Sequence, residues 1–250
     1  MTLNDIALKY NTDKSDRFHH YTRRYGQYFE SLRNQPLRIL EIGIQNGYSL
    51  KTWKEYFSHA EIFGIDIVDC SHMDEERIKT LKGSQNDLEF LAQVIKTHGP
   101  FDIIIDDGSH YSTDMKISFD FLFPSLQPDG LYVVEDLHCC YWPEFSDGGS
   151  AFMDRMKRAM DSVNGHGKWG LAAIENAATD IVFQEKQHGT PDWWDTNVEY
   201  VHLYRSIVFI KKYASGTITH PRPHYVFRGF AQAWRFCTKA IRKGITALKQ

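Results

Sequence analysis

The chain has 250 residues, 42% of them apolar and 14% aromatic, with a formal net charge of -3. That is apolar side chain enough for one substantial core, and no apolar run approaches the roughly 20 residues of a membrane-spanning helix. The opening Met1-Thr2-Leu3-Asn4-Asp5 lacks the basic-then-apolar order of a secretory signal, which predicts a cytoplasmic protein. Cys70, Cys139, Cys140 and Cys237 show no C-x-x-C spacing, so reduced thiols are expected in place of a disulfide scaffold or a zinc site.

Short apolar runs bounded by turn residues read as strands at Leu37 to Ile44, Glu61 to Ile67, Arg77 to Lys82, Phe101 to Asp106 and Leu131 to Asp136. Helical spacing fills the intervals at Ser49 to Phe57, Asp87 to Lys96 and Ser112 to Leu126. Gly99-Pro100 and Pro128-Asp129-Gly130 mark the entries to the fourth and fifth strands. Such alternation predicts an α/β, doubly wound, mostly parallel sheet. Two β-rich runs, Val198 to Tyr204 and Ile207 to Lys212, are joined by Arg205-Ser206 and predict an antiparallel hairpin closing that sheet. Between the fifth strand and the hairpin, about residues 139–195 are aromatic and long enough for a lid or acceptor insertion. The main domain is thereby expected over 1–215, with a basic helical extension over 216–250.

The first strand opens into Glu41-Ile42-Gly43-Ile44-Gln45-Asn46-Gly47-Tyr48-Ser49. Glycine lets the backbone pass close to a ligand, and the helix beginning at Ser49 offers unpaired N–H groups. Its glycines are spaced G-x-x-x-G, unlike the G-x-G-x-x-G of dinucleotide enzymes. Asp66 closes the second strand in Gly64-Ile65-Asp66, roughly 20 residues downstream, where an acid accepts ribose hydroxyls. A nucleoside ligand is therefore expected beyond the carboxyl ends of the first strands.

Two acidic runs fall at the same edge: Asp106-Asp107-Gly108-Ser109-His110 after the fourth strand and Glu135-Asp136-Leu137-His138 after the fifth. Carboxylates at the rim of an apolar sheet are costly unless compensated, and a hard metal ion is the simplest compensation. As plain turn and capping chemistry these acids would need no ligand, a reading weakened by the second pair. Asp106 is assigned to the donor side. His138 could orient a metal ligand, contact substrate, or do neither. Tyr141, Trp142, Trp193 and Trp194 could stack on sugar rings, or serve as lid core or dimer contact.

From Tyr200 onward the chain has ten Lys and Arg and no acid. Phe230, Trp234, Cys237, Ile241, Ile245 and Leu248 fall at helical spacing beside Arg235, Lys239, Arg242 and Lys243. That helix suits either an anionic membrane surface or packing on its own domain or across a homo-oligomer, a dimer being expected. No nucleic-acid reading motif accompanies it.

In order and spacing, these motifs resemble the class I S-adenosylmethionine-dependent methyltransferases. The likeness is to the metal-dependent sugar O-methyltransferases of macrolide and rhamnosyl antibiotic pathways and to cephalosporin hydroxylase-type proteins. It runs from about Asn11 to Tyr141, through Asn11-Thr12-Asp13-Lys14, His20-Tyr21, Leu40 to Ile44, Gly64 to Ile67, Gln85-Asn86-Asp87 and both acidic runs. The resemblance implies a Rossmann-like fold and Mg²⁺ held by Asp107, Glu135 and Asp136, with His110 as general base. It further implies that Gly43, Asp66 and the Gln85 to Asp87 segment hold S-adenosyl-L-methionine and that Thr12, Asp13 and Lys14 fold over it. Glu41, Gly47 and Ser49 join that donor group, and His138, Tyr141 and Trp142 the substrate side.

The chemistry implied is coherent. A sugar hydroxyl is a poor nucleophile at neutral pH, and a divalent ion beside a histidine would lower and remove its proton. The expected acceptor is a sugar-containing small molecule, glycoside or oligosaccharide. Two rivals stand: an oxygenase-type enzyme, which would need His110, Asp107 and His138 as an iron triad, and a non-catalytic donor-binding protein.

Overall fold

The computed structural model describes residues 1–146, 151–163, 169–176, 180–187, 193–214 and 225–228. Two short helices come first, α1 (Leu3–Tyr10) and α2 (Thr22–Phe29). Alternating elements follow: β1 (Arg38–Ile42), α3 (Tyr48–Tyr56), β2 (Glu61–Asp66), β3 (Ile78–Lys82), α4 (Leu88–His98), β4 (Ile103–Asp106), α5 (Ser112–Leu122) and β5 (Leu131–Val134). The later part adds α6 (Ala151–Val163), β6 (Trp169–Asn176), β7 (Asp180–Gln187), α7 (Trp193–Asn197), β8 (Val198–Tyr204), β9 (Ile207–Lys212) and β10 (Tyr225–Arg228).

Seven strands make one sheet in the order β3-β2-β1-β4-β5-β9-β8. The pairs from β3 to β5 are parallel, while β9 runs antiparallel to both β5 and β8. The expected hairpin therefore closes a parallel sheet. Because β1 pairs with β2 on one side and β4 on the other, strand order reverses there, and a crevice opens beyond the carboxyl ends of β1 and β4.

Alternation along the strands builds a core on each face. Leu40, Ile42, Ile104, Tyr132 and Val134 pack with side chains of α4, α5 and α6. Ile39, Ile103, Ile105, Leu131 and Val133 pack on the other face with α1, α2 and α3. Helices on both faces make the sheet doubly wound, as the strand–helix alternation predicts. All four residues of β4 are buried, which explains why it reads as one apolar run closed by an acid.

Several bounds differ from expectation. The first strand stops at Ile42 because Gly43 adopts φ +89°, turning the chain out of the sheet. The fifth stops at Val134, and Asp136 sits in the left-handed region at φ +53°. The fourth begins at Ile103 instead of Phe101. The helix expected to reach Leu126 ends at Leu122, where Pro124 enters a short 3-10 turn.

Neither α1 nor α2 was expected. Yet Thr2 accepts from the Asp5 backbone while Asp5 accepts from Thr2, a capping box readable as Thr-x-x-Asp. Inside the expected insertion lie α6 and the antiparallel β6–β7 pair, whose second sheet has the order β10-β7-β6. Among the described residues no helix is long and apolar enough to cross a membrane. Cys70, Cys139 and Cys140 are buried and free. The amphipathic stretch expected over 230–248, with its membrane or dimer role and Cys237, lies outside the described residues.

Candidate active site

A cavity of about 600 Å³ occupies the crevice beyond β1, β2 and β4. It is lined by Thr12, Asp13 and Lys14, the loop from Gly43 to Asn46, Ser49, Asp66, Gln85, the Asp107 to His110 loop and Asp136. These are mostly the residues expected for donor, metal and base, drawn together from six segments.

Backbone geometry fixes the loops. A Cβ on Gly43 would lie 2.1 Å from the Asp107 carbonyl oxygen, so the first loop lies directly against the loop after β4. One Asp66 oxygen accepts from the N–H groups of Ile44 (2.8 Å) and Gln45 (3.2 Å), and the other from Val68 (2.9 Å). Asp66 thus shapes the cavity rim as well as facing it. Gln85 donates to Asp106 and accepts from Ser109 N–H at 2.7 Å, tying the β3 loop to the β4 loop.

Four residues assigned to the donor, Glu41, Gly47, Asp87 and Asp106, do not line the cavity, and the fold gives them supporting positions instead. Asp106 is fully buried on the α5 face, where Ser118 donates to it at 2.6 Å and burial pushes its carboxyl up to about 6. Asp87 caps α4, accepting from Glu89 and Phe90 N–H. Glu41 is fully buried on the α3 face, accepting from Trp53 Nε1 at 3.1 Å, and burial pushes it up to about 7. Gly47 starts α3 at φ +68° beside the cavity.

Lys14 departs most from expectation. Its side chain is turned down among the carboxylates and is almost wholly buried. The ammonium donates to Asp107 and, at 2.8 Å, to Glu135, with Glu41 at 3.5 Å. Burial opposes that charge, but Asp107, Glu135 and Glu41 outweigh it and hold the ammonium well above its ordinary value. Glu135 has one oxygen on Lys14 and the other on the Tyr25 hydroxyl. Tyr25 is locked in place among Phe29, Trp53 and Phe209. Burial pushes the carboxyls of Asp107 and Glu135 above their ordinary range even beside this ammonium.

Toward the opening, Asp107, His110 and Asp136 each offer one ligand atom, all within 4.8 Å of one another. His110 Nε2 lies 3.8 Å from Asp136 Oδ2, and its buried Nδ1 has no hydrogen-bond partner among the described residues. Tyr21 donates to Asp136 Oδ1 at 2.6 Å. Glu41, Asp107 and Glu135 thus face the Lys14 ammonium, and Asp136 lies with Asp107 beside His110. With an orphaned imidazole nitrogen beside them, this oxygen-rich set fits a hard divalent cation.

His138 stands at the edge of the cluster, its Nδ1 4.0 Å from Asp136 Oδ1, but is not one of the three residues whose ligand atoms group together. Its Nδ1 contacts the Ser206 hydroxyl and its ring meets Trp142 edge-on at 4.6 Å, so it does not complete an iron triad with Asp107 and His110. His138, Tyr141 and Trp142 line a second cavity of about 1,010 Å³. Trp193 and Trp194 line neither cavity. They pack on Phe123 and Phe119, with Arg155 lying 3.6 Å over the Trp194 ring, which corrects the sugar-stacking expectation for that pair.

Tyr21, Tyr25 and the buried placement of Lys14 were not legible as acid partners, because each meets its carboxylate from more than 90 residues away. Within the resemblance Lys14 was expected over the donor, and the His20-Tyr21 pair carried no assigned role.

No family model matches the chain. Mycinamicin VI 2''-O-methyltransferase of Micromonospora griseorubida is 37% identical over 217 residues, spanning 84% of this chain and 52% of the relative. Demethylmacrocin O-methyltransferase of Streptomyces fradiae is 38% identical over 220 residues, spanning 84% and 53%. The structure of the MycE methyltransferase in complex with Mg, SAH and mycinamycin VI has a TM-score of 0.72 at 35% identity, covering 86% of this chain and 54% of that one. The chain spans about half the length of the curated relatives it matches. Over the matched residues it belongs to the class I S-adenosylmethionine-dependent methyltransferases, beside the sugar O-methyltransferases of macrolide and tetracenomycin pathways.

Proposed function

We propose that the chain carries the methyl-transfer site of a divalent-metal-dependent O-methyltransferase acting on a sugar hydroxyl. The observation that carries this reading is the Asp107, His110 and Asp136 cluster at the mouth of the cavity formed by β1 and β4. The relatives named above methylate sugar-bearing natural products, and the MycE complex holds Mg and SAH.

S-adenosyl-L-methionine fits the first cavity, whose rim is the glycine loop and Asp66. Asp107, Glu135 and Asp136 would hold Mg²⁺. When bound, the cation lowers the pKa of the acceptor hydroxyl, and the sulfonium donor presents an electrophilic methyl whose bonding pair leaves on sulfur. The chain's own residues supply position and proton traffic. His110 takes the hydroxyl proton at Nε2, the nitrogen that lies 3.8 Å from Asp136 Oδ2. Tyr21 fixes the Asp136 carboxylate, while the Gly43–Asp107 contact sets the spacing of donor loop and metal loop. Donor, cation and acceptor must converge within a few ångströms, so such fixing matters more here than any single contact.

The test is methyl transfer from labelled donor to a panel of mono- and oligosaccharides, with and without EDTA. Asp107→Ala should abolish metal-dependent turnover while largely sparing donor binding. Full activity after EDTA treatment would defeat the metal reading.

A further inference from the structure

The second cavity has a chemistry of its own. It adjoins the first, sharing Phe18 with it, and its inner wall is Tyr21, His138 and Ser206. Tyr21 donates to Asp136, so a molecule seated there lies one side chain away from the carboxylate cluster. Tyr141 and Trp142, 67% and 48% exposed, offer apolar ring faces suited to the C–H face of a pyranose.

Among the described residues, Arg23, Arg24 and Arg205 line this wall together with His19, His20 and His138, and no Asp or Glu does. Arg23 is met by Asp16 at 3.0 Å. Arg24 is different: its guanidinium lies 4.5 Å over the Tyr204 ring, which orients it without neutralising it. Arg205 stands exposed at the β8–β9 turn. Among the described residues neither Arg24 nor Arg205 has a carboxylate within ion-pair distance. Guanidinium groups match phosphate and carboxylate oxygens in paired, planar geometry. A neutral apolar acceptor would strip water from both cations and return nothing for it.

We propose that the second cavity is the acceptor pocket and that the acceptor is anionic, its sugar carrying a phosphate or carboxylate group that Arg24 and Arg205 engage. The proposal rests on the methyl-transfer reading of the adjoining cluster, but the anion preference can be measured without turnover.

Three probes of one sugar separate the cases: its neutral methyl glycoside, its 1-phosphate, and the corresponding methyl uronoside. Binding is measured by calorimetry with the full chain, and methyl transfer in parallel with donor and Mg²⁺. The expected result is binding of at least one anionic probe tenfold or more above the neutral glycoside. That preference should weaken with added salt and be largely lost in Arg24→Gln/Arg205→Gln. Arg205→Gln alone, on an exposed turn, guards against loss through misfolding and should remove part of the preference. The phosphate and carboxylate arms identify which oxyanion is read. Equal binding of all three probes, no binding of any, or a preference unmoved by both variants would overturn the proposal. Anion-selective binding with no methyl transfer to any probe would instead sink the methyltransferase reading and leave the anionic pocket standing.

Discussion

The ammonium of Lys14 lies 2.8 Å from Glu135 Oε2, and both side chains are only 2% exposed. Removing one partner of such a pair leaves the other buried and uncompensated, which costs about 3–5 kcal/mol. Lys14→Met should therefore lower unfolding stability in EDTA by several kcal/mol. Magnesium should recover part of it, because a dication answers the same carboxylates. Urea unfolding in EDTA and in Mg²⁺ makes the comparison. A variant as stable as the parent in EDTA would show that the ammonium is not the counter-charge.

Glu41 gives the pH dependence a sign. Burial raises its carboxyl from 4.5 to about 7, so between those values the folded state holds a proton that the unfolded chain has released. Its contribution to stability is fully present below pH 4.5 and lost as pH rises through about 7. Glu41→Gln keeps an acceptor for Trp53 and should flatten stability across that window, measured by denaturant midpoints at several pH values. An unchanged slope would remove Glu41 as its source.

Gly43 has φ +89° and no room for a side chain. Gly43→Ala should push the Asp107 loop away, costing about 1–3 kcal/mol of stability through backbone strain alone. The same change should weaken donor binding by calorimetry. Donor affinity equal to that of the parent would mean the two loops are not coupled.

Tyr21→Phe removes one donor to a charged carboxylate, a loss of about 1.5–3 kcal/mol in a buried setting. Since Asp136 is also a proposed metal ligand, Mg²⁺ titration followed calorimetrically should show weaker or less ordered binding. Unaltered magnesium affinity would leave Tyr21 a merely structural residue.

Much of this site is written in strand parity. Along β4, Ile103 and Ile105 face α2 and α3, so Ile104 and Asp106 face α4 and α5. That alternation sets Asp106 on the α5 face with Ser118, apart from the acids that meet Lys14. Glu41 follows the parity of Ile39, and Glu135 that of Leu131 and Val133, which carries both to the face of Trp53 and Tyr25, where the Lys14 ammonium reaches them. What sequence spacing could not show is which residues answer those acids. Lys14 and the two tyrosines reach them through packing of α1 and α2 on the sheet, a tertiary event that leaves no periodic trace. Turn chemistry likewise placed Asp107 and His110 on one loop, but not the approach of Asp136 to both.

Residues 11–21, between α1 and α2, supply wall to both cavities: Thr12, Asp13 and Lys14 to the first, His19, His20 and Tyr21 to the second, and Phe18 to each. The segment is cross-braced by hydrogen bonds from His19 N–H to the Asp13 carbonyl and from Thr22 N–H to the Lys14 carbonyl. A ligand that quiets one end of such a strip relieves the next ligand of that ordering cost. Affinity for donor and affinity for acceptor should then rise together by the same factor, whichever binds first, so that the ternary complex forms more readily than either binary constant implies.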